Sequence, residues 1–393
     1  MKGWDAIFKD LEDKSSEAIE QTECTIHEDI EGTYIHRDEG DVFYSEKSFE
    51  IGMIFGECLL SVPAIPEAII KKEKLPFDIP SSKYLFVDTE TTGLNTGGGS
   101  YAVLVGLGSF EDDKFVVRRW FLPDPASELT LLIELREIFE KYDLIVSYNG
   151  KSYDMNLLQS RYDFHGINYR IKDKYQLDLL HLVRRFWRGK LTDCSLQTIE
   201  REILKYDRVD EDEIPGWKIP WAYFNFLETG YTGDIVKIHD HNTIDILSMP
   251  VLLDYLSNII ANPSDVQEHL LPCSKYYEVA GMTDKAVGIL ESNQEDETDE
   301  STLLRLSLLY KRRADYQNAV PVWEQLAKTD NLTALEELAK YAEHKSKNSE
   351  LALQYTEQAM AFLQSLPLAN SDYHAKWQHR KQRLTAKLQR SKS

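Results

Sequence analysis

Three acidic phrases, Asp88-Thr-Glu90, Asn149-Gly-Lys-Ser-Tyr-Asp154 and His241-Asn-Thr-Ile-Asp245, stand where apolar segments of the chain end. Carboxylates repel one another, so a fold that gathers these phrases must bring distant strand and helix ends to one place and hold them there with cations. Alternate residues of a strand share a face, so Asp88 and Glu90 leave the end of Tyr84-Leu-Phe-Val on the same side and can grip one cation between them. Asp154 follows an Asn149-Gly150 turn and opens a helix, beside the turn amides and the positive end of the dipole. His241 and Asp245 are four apart and share one face of a helix expected to run on to Leu253. Oxygen ligands, no cysteine and a single neighbouring histidine select Mg²⁺ or Mn²⁺ over zinc. Two such ions, about 3.5–4 Å apart, would serve an in-line phosphoryl displacement, one activating water and the other stabilising the leaving oxygen. The charges of Asp88, Glu90, Asp154 and Asp245 balance that pair, and without metal at least one carboxyl pKa should rise.

The surrounding pattern predicts an α/β layer fold. Apolar runs at Tyr84–Val87, Tyr101–Phe110 and Phe115–Leu122 read as an antiparallel three-strand start. A helix from Ser127 to Lys141, a buried strand at Leu144–Ser147, a helix from Asp154 to Phe164 and a strand near Leu177–Leu180 follow. Strands alternating with helices after an antiparallel meander predict a mixed sheet flanked by helices. Residues 1–82 are acidic and irregular, with a hairpin around Gly40 and a short helix at Ile54–Leu60, and are expected to be an N-terminal extension to a domain spanning 83–262. The aromatic segment Ile214–Phe224 reads as a loop that packs against the core in preference to stacking on bases.

Beyond Pro263 the strands give way to a repeat. Ala286, Ala319 and Ala352 are spaced 33 apart, as are Glu291, Glu324 and Glu357, and each alanine opens a similar phrase. This resembles a degenerate tetratricopeptide array, whose usual period is about 34, and predicts an all-helical domain over 263–393 that binds a protein partner or caps the domain before it.

The chain of 393 residues fits two or three domains and carries a net charge of −21, which argues against gripping nucleic acid with its whole surface. Basic residues gather after Asp372 (Lys376, Arg380, Lys381, Arg383, Lys387, Arg390, Lys392), where a solvated or frayed helix is preferred over a nucleic-acid contact. Cys24, Cys58, Cys194 and Cys273 show no metal or redox spacing, which fits a reducing cytoplasm, and the apolar run at Phe55–Ile70 is broken by Pro63 and Pro66, so no membrane association is expected. Gly97-Gly-Gly99-Ser-Tyr-Ala102 matches a dinucleotide fingerprint but precedes a strand, so it reads as a hairpin loop.

With Phe86-Val-Asp-Thr-Glu-Thr-Thr-Gly93, Tyr148-Asn-Gly-Lys-Ser-Tyr-Asp154 and His241-Asn-Thr-Ile-Asp245, the chain resembles the DEDD superfamily of 3′–5′ exonucleases, which have a ribonuclease H-like fold. Asp178-Leu-Leu-His-Leu-Val-Arg-Arg-Phe-Trp187 and Tyr223-Phe-Asn-Phe-Leu-Glu-Thr-Gly230 make it look like the bacterial YprB family, ribonuclease H-like proteins with tetratricopeptide C-termini. The resemblance implies Asp88, Glu90, Asp154 and Asp245 as the acids that hold two Mg²⁺ or Mn²⁺ ions. It sets Thr91, Thr92 and Gly93, with Asn149, beside the terminal nucleotide of a DNA or RNA end. One subgroup has tyrosine four residues before the last acid, where this chain has His241; the other subgroup's histidine would fall at Asp240. His241 is the candidate base, with His239 in reserve. Asp178 is a fifth acid or, by preference, a strand-end residue. The rival readings are an inactive nuclease-fold scaffold working through its repeats and a structure-specific endonuclease.

Overall fold

The computed structural model describes residues 26–93, 99–209, 213–263, 267–292, 299–365 and 371–392. The chain divides into two compact units between Asn258 and Ile259. The Gly97-Gly98 part of the glycine loop lies outside the described residues.

In the first unit a short helix α1 (Ile26–Asp29) precedes a hairpin of β1 (Thr33–Arg37) and β2 (Gly40–Glu50). The two-strand turn β3 (Ile54–Phe55) and β4 (Cys58–Leu59) and helix α2 (Glu67–Glu73) lead to β5 (Tyr84–Thr91), β6 (Ala102–Glu111) and β7 (Lys114–Phe121). Helix α3 (Glu128–Phe139), β8 (Leu144–Ser147), α4 (Asp154–Phe164) and β9 (Tyr175–Asp178) follow. Then come α5 (Leu179–Trp187), α6 (Leu196–Ile199), α7 (Ile219–Thr229) and α8 (Gly233–Ala261). The sheet order is β1-β2-β7-β6-β5-β8-β9. Pairing is antiparallel from β1 to β5 and parallel from β5 through β8 to β9.

Three expectations are corrected. Residues 33–37 and 40–50 are strands of the main sheet, β2 pairing with β7 from Phe43↔Phe121 to Glu50↔Lys114, so this stretch belongs to the domain expected to begin at residue 83. Ile54–Leu60 forms a hairpin, not a helix, because Gly56 at φ 61° turns the chain, and the Glu57 amide donates to the Leu204 carbonyl at 2.9 Å. The aromatic segment is helical from Ile219: Pro220, in the first turn where no backbone donor is needed, starts α7, and Gly230 in the left-handed region ends it.

Helices cover both faces of the sheet. Leu85, Val87, Val105 and Leu107 pack with Leu131, Leu135 and Phe139 of α3 and Met155, Leu158 and Tyr162 of α4. A second cluster joins Phe43, Val103 and Phe121 to Ile219, Tyr223 and Phe226 of α7 and Ile235 and Ile238 of α8. Two glycines in the middle of β6 let α8 lie unusually close to the sheet. A Cβ on Gly106 would stand 1.9 Å from Asn242 Oδ1, and one on Gly108 would stand 2.6 Å from Ile246 Cγ2. Buried Arg119, paired across from Gly106 on β7, holds the same stretch of helix through Thr243 Oγ1 at 2.5 Å and the His239 carbonyl at 3.4 Å. By length and composition α8 could cross a membrane, but 61% of its apolar window is buried inside the protein.

The second unit is helical throughout its described residues: α9 (Gln267–Val279), α10 (Thr283–Glu291), α11 (Glu300–Arg312), α12 (Tyr316–Ala327), α13 (Leu332–His344), α14 (Ser349–Ser365) and α15 (Ser371–Lys392). Ala286, Ala319 and Ala352 fall in α10, α12 and α14, the second helices of successive pairs, and all three are fully buried. The basic tail is α15, docked by buried Trp377 and Leu384, with Lys376, Lys381 and Arg383 bonded to Glu336, Glu357 and Glu343.

If the glycines set the approach of α8, Gly106→Ala should cost about 1–3 kcal/mol by overpacking, read as a lower denaturation midpoint. Gly288→Ala, in a helix with nothing within 4 Å of the added carbon, is expected to be neutral or stabilising.

Candidate metal centre

The C-terminal half of β5 presents Asp88 and Glu90 on one face, and α8, seated over Gly106, delivers the third phrase to it. Asn242 Nδ2 donates to Asp88 Oδ2 at 2.8 Å, which places its neighbours His241 and Asp245 over the strand end. Ligand atoms of Glu90, His241 and Asp245 all lie within 4.8 Å of one another. His241 Nε2 is 3.6 Å from Asp245 Oδ2 and 3.9 Å from Glu90 Oε1. Asp154 arrives from the other side of the strand, where Thr89 Oγ1 donates to its Oδ1.

The approach of Asp154 depends on the turn before it. Asn149 adopts φ 64°, its amide bonded to Asp178 Oδ1 at 2.9 Å. Gly150 leaves room that a side chain would take, since a Cβ there would stand 2.7 Å from Ser147 and 2.9 Å from Asp154 Oδ2. Asp178 also caps α5 through the Leu180 amide at 3.1 Å, so it supports the turn from behind the strand end. After β5, Thr91 Oγ1 donates to the Gly93 carbonyl at 2.9 Å, and Thr92 Oγ1 accepts from the Tyr101 amide at 2.9 Å.

The acids act on one another electrostatically. Burial and then the charges of Asp245, Glu90 and Asp154 push Asp88 well above the ordinary carboxyl range. Burial also raises Glu90 to about 7; His241, the next largest influence, and Arg208 lower it, while the charges of Asp245 and Asp154 add to the rise. Burial lifts Asp154 to about 6, against the Thr89 hydrogen bond that lowers it. Burial opposes the protonation of His241, yet Asp245, the Glu213 hydrogen bond and Glu90 carry it up to about 9. Four mutually repelling carboxylates and one imidazole, short of positive charge, are a donor set that fits Mg²⁺ or Mn²⁺.

His239 is not part of this group. It is buried against the rings of Phe43 and Phe121, neither ring nitrogen has a hydrogen-bond partner, and burial depresses its pKa, so it is a neutral core residue and no reserve base. The structure adds residues that sequence reasoning passed over. Thr89 and Asn242 bond the acids directly, and Arg208, Glu200 and Glu213 surround Asp245 and His241. Glu200 begins a π-helical stretch, Glu200–Leu204, of the kind often found beside functional groups. The glycine pair of β6 was a legible signal for close helix approach and hence for Asn242.

A model of the RNase_H superfamily matches residues 85–257. Over 294 residues, 70% of this chain and 68% of the relative, the sequence is 34% identical to the "Uncharacterized protein YprB" of Bacillus subtilis (strain 168).

The raised carboxyls set a pH dependence. A carboxyl with a higher pKa in the folded state keeps its proton there and loses it on unfolding, so stability falls as pH climbs from the unfolded value through the folded one. Glu90 alone, moved from 4.5 to about 7, corresponds to roughly 3 kcal/mol at about 1.4 kcal/mol per unit. Asp88→Asn relieves the repulsion while its amide oxygen still accepts from Asn242. In EDTA it should melt several degrees above the wild type at pH 8, with the gap closing toward pH 4; an equal or lower melting temperature at pH 8 would contradict the electrostatic account.

Proposed function

Because the chain belongs to the family of Bacillus subtilis YprB and carries an RNase H superfamily domain over residues 85–257, we propose that it is a metal-dependent phosphodiesterase that removes nucleotides from the 3′ ends of single-stranded DNA or RNA. The observation that supports this reading is the cluster of Glu90, His241 and Asp245, whose ligand atoms lie within 4.8 Å of one another, with Asp88 and Asp154 close enough to act on it electrostatically. These acids would hold two Mg²⁺ or Mn²⁺ ions, which supply an activated water and charge for the leaving oxygen.

The chain's own groups do the rest. Glu213 Oε2, 3.0 Å from His241 Nδ1, holds a proton on that nitrogen and turns Nε2 toward Glu90 and Asp245. Arg208 Nη1 lies 3.2 Å from the same Nδ1, but it can only donate, so it cannot bond there while Nδ1 carries a proton. The nearer, anionic Glu213 decides the tautomer, and once bound cations offset the acids that raise the imidazole's pKa, Nε2 would be the atom that accepts a proton from water. Thr91, Thr92, Gly93 and Asn149 would line the terminal nucleotide, the first three through a strand end already fixed by its own hydrogen bonds.

A single-stranded substrate is favoured by aromatic exposure. Trp217, in the 3-10 turn Gly216–Lys218, is 77% exposed and Trp221, in the first turn of α7, is 64% exposed; α7 packs against β5 and begins a few residues beyond Glu213. Lys218 Nζ lies over the Trp217 ring at 5.3 Å. Buried Ile219, Ala222 and Tyr223 take the opposite face, so the indoles face away from the core and would be available to stack on unpaired bases. The helical unit would act as a tetratricopeptide-like partner-binding array. Direct bonding of Asp245 by Arg208 favours the rival reading of an inactive scaffold.

Two assays test the proposal. End-labelled DNA and RNA with Mn²⁺ or Mg²⁺ should yield a ladder and mononucleotides, and Asp88→Ala should lower the rate by a thousandfold or more; intact substrates, or undiminished Asp88→Ala activity, would remove the enzyme claim, and fixed-length products would indicate an endonuclease. Replacing Trp217 and Trp221 by Ala should weaken single-strand binding by roughly 1–3 kcal/mol per stacked base, raising KM with little change in kcat on a mononucleotide ester.

A further inference from the structure

The guanidinium of Arg208 is shared among more partners than any single ion pair needs. Its Nε donates to Glu200 Oε2 at 2.6 Å and its Nη2 to Glu200 Oε1 at 2.7 Å. Its Nη1 reaches Glu213 Oε1 at 3.1 Å, and its Nη2 also donates to Asp245 Oδ1. The Arg208 side chain is only 7% exposed, and Glu200, fully buried, is fixed further by Ser248 Oγ at 2.5 Å. The guanidinium is therefore held by a rigid acid from behind and pressed onto the candidate ligand in front.

The four acids of the centre are not equivalent as a result. Asp88 is bonded by the neutral amide of Asn242 and Asp154 by the neutral hydroxyl of Thr89, while Glu90 has only the more distant imidazole of His241. Among these four, Asp245 alone is bonded directly by a guanidinium, and its other oxygen faces His241. We infer that Arg208 is a built-in counter-ion that competes with a divalent cation for Asp245. It makes the ion position that Asp245 forms with Glu90 and His241 the weaker of two. A fixed positive charge repels a divalent ion at hydrogen-bond range, and in a buried site that repulsion is poorly screened. Loading the weaker position requires Asp245 to exchange its guanidinium partner for the ion, with Glu200 and Glu213 left to keep Arg208 neutralised. Arg208 is on this account a positioning residue that touches no substrate.

The inference rests on the metal-site reading, and calorimetric titration of the full chain with Mn²⁺, alongside counting of bound Mn²⁺ by electron paramagnetic resonance, separates the two. Wild type should show one tighter and one weaker ion. Arg208→Gln should tighten the weaker by tenfold or more and leave the tighter within about twofold, a gain that structural damage could not produce. Arg208→Lys should keep the wild-type pattern. Glu200 would lose its partner in Arg208→Gln, so Arg208→Gln with Glu200→Gln, which removes both buried charges, serves as the second variant, its folding read from the melt in EDTA. Two ions in wild type with the weaker unchanged or loosened in the folded double variant would overturn the role of Arg208 and leave the metal site standing. No Mn²⁺ bound by any of the proteins would overturn the site itself.

Discussion

The contact between α8 and the middle of β6 is the constraint on which the centre depends. The third acidic phrase lies far along the chain from the first, and only the absence of side chains at Gly106 and Gly108 lets its helix sit low enough for Asn242 to reach Asp88. Helix geometry then does the remaining work, because His241 and Asp245 are one turn apart and must both overhang the strand end once Asn242 is seated. Arg119 holds the same turn from β7, so the helix is fixed at the level of its backbone as well as its side chains. A strand with two interior glycines is weak on its own merits. Its presence in the most buried part of this sheet makes sense as the condition for that approach.

Gathering acids carries an electrostatic cost, and the fold meets it unevenly. Neutral donors serve the two acids nearest the sheet: Thr89 for Asp154, Asn242 for Asp88. Charged groups serve the outer edge, where Arg208 and a protonated His241 stand among Asp245, Glu213 and Glu200. Neutral hydrogen bonds lower a carboxylate's pKa without opposing a cation, whereas a guanidinium does both. The inner carboxylates are therefore left with high proton affinity and an appetite for metal, while the outer rim is nearly satisfied without it.

The parts of the centre that were legible in the sequence are those governed by local periodicity. Asp88 and Glu90 share a face because strands repeat every two residues, and His241 and Asp245 share one because helices repeat near four; no tertiary knowledge is needed for either. Arg208, Glu200 and Glu213 lack such a period. They come together only because a π-helical turn ends at Leu204, where the Gly56-Glu57 turn docks, and long-range docking of that kind leaves no local pattern. The same limit hid where the N-terminal hairpin goes. Its turn at Gly40 was legible, but its place in the main sheet emerges only when β2 is laid along β7, and the mixture of acids and apolar residues in β2 reflects an exposed and a buried side, not an irregular segment. His239 was attractive for its type and its nearness to His241, but two positions along a helix turn a side chain roughly 200° away, into the core.

Charge distribution bears on how such a protein would hold an acidic polymer. Its net charge of −21 opposes a phosphate backbone, and the most basic stretch is not free to answer it, since Lys376, Lys381 and Arg383 of α15 are bonded to glutamates of the helical unit. Arg208, inside the centre, is likewise committed to carboxylates. Binding energy for a nucleic acid must then come from groups that do not depend on net charge. Metal-bridged contacts at the scissile phosphate are one source, and base stacking on Trp217 and Trp221 is another; neither rewards contact with a paired duplex, whose bases are already stacked on one another. On the proposed reading, an acidic surface would disfavour long duplexes and stacking would favour unpaired strands, so the composition that argues against general nucleic-acid binding would become a source of selectivity.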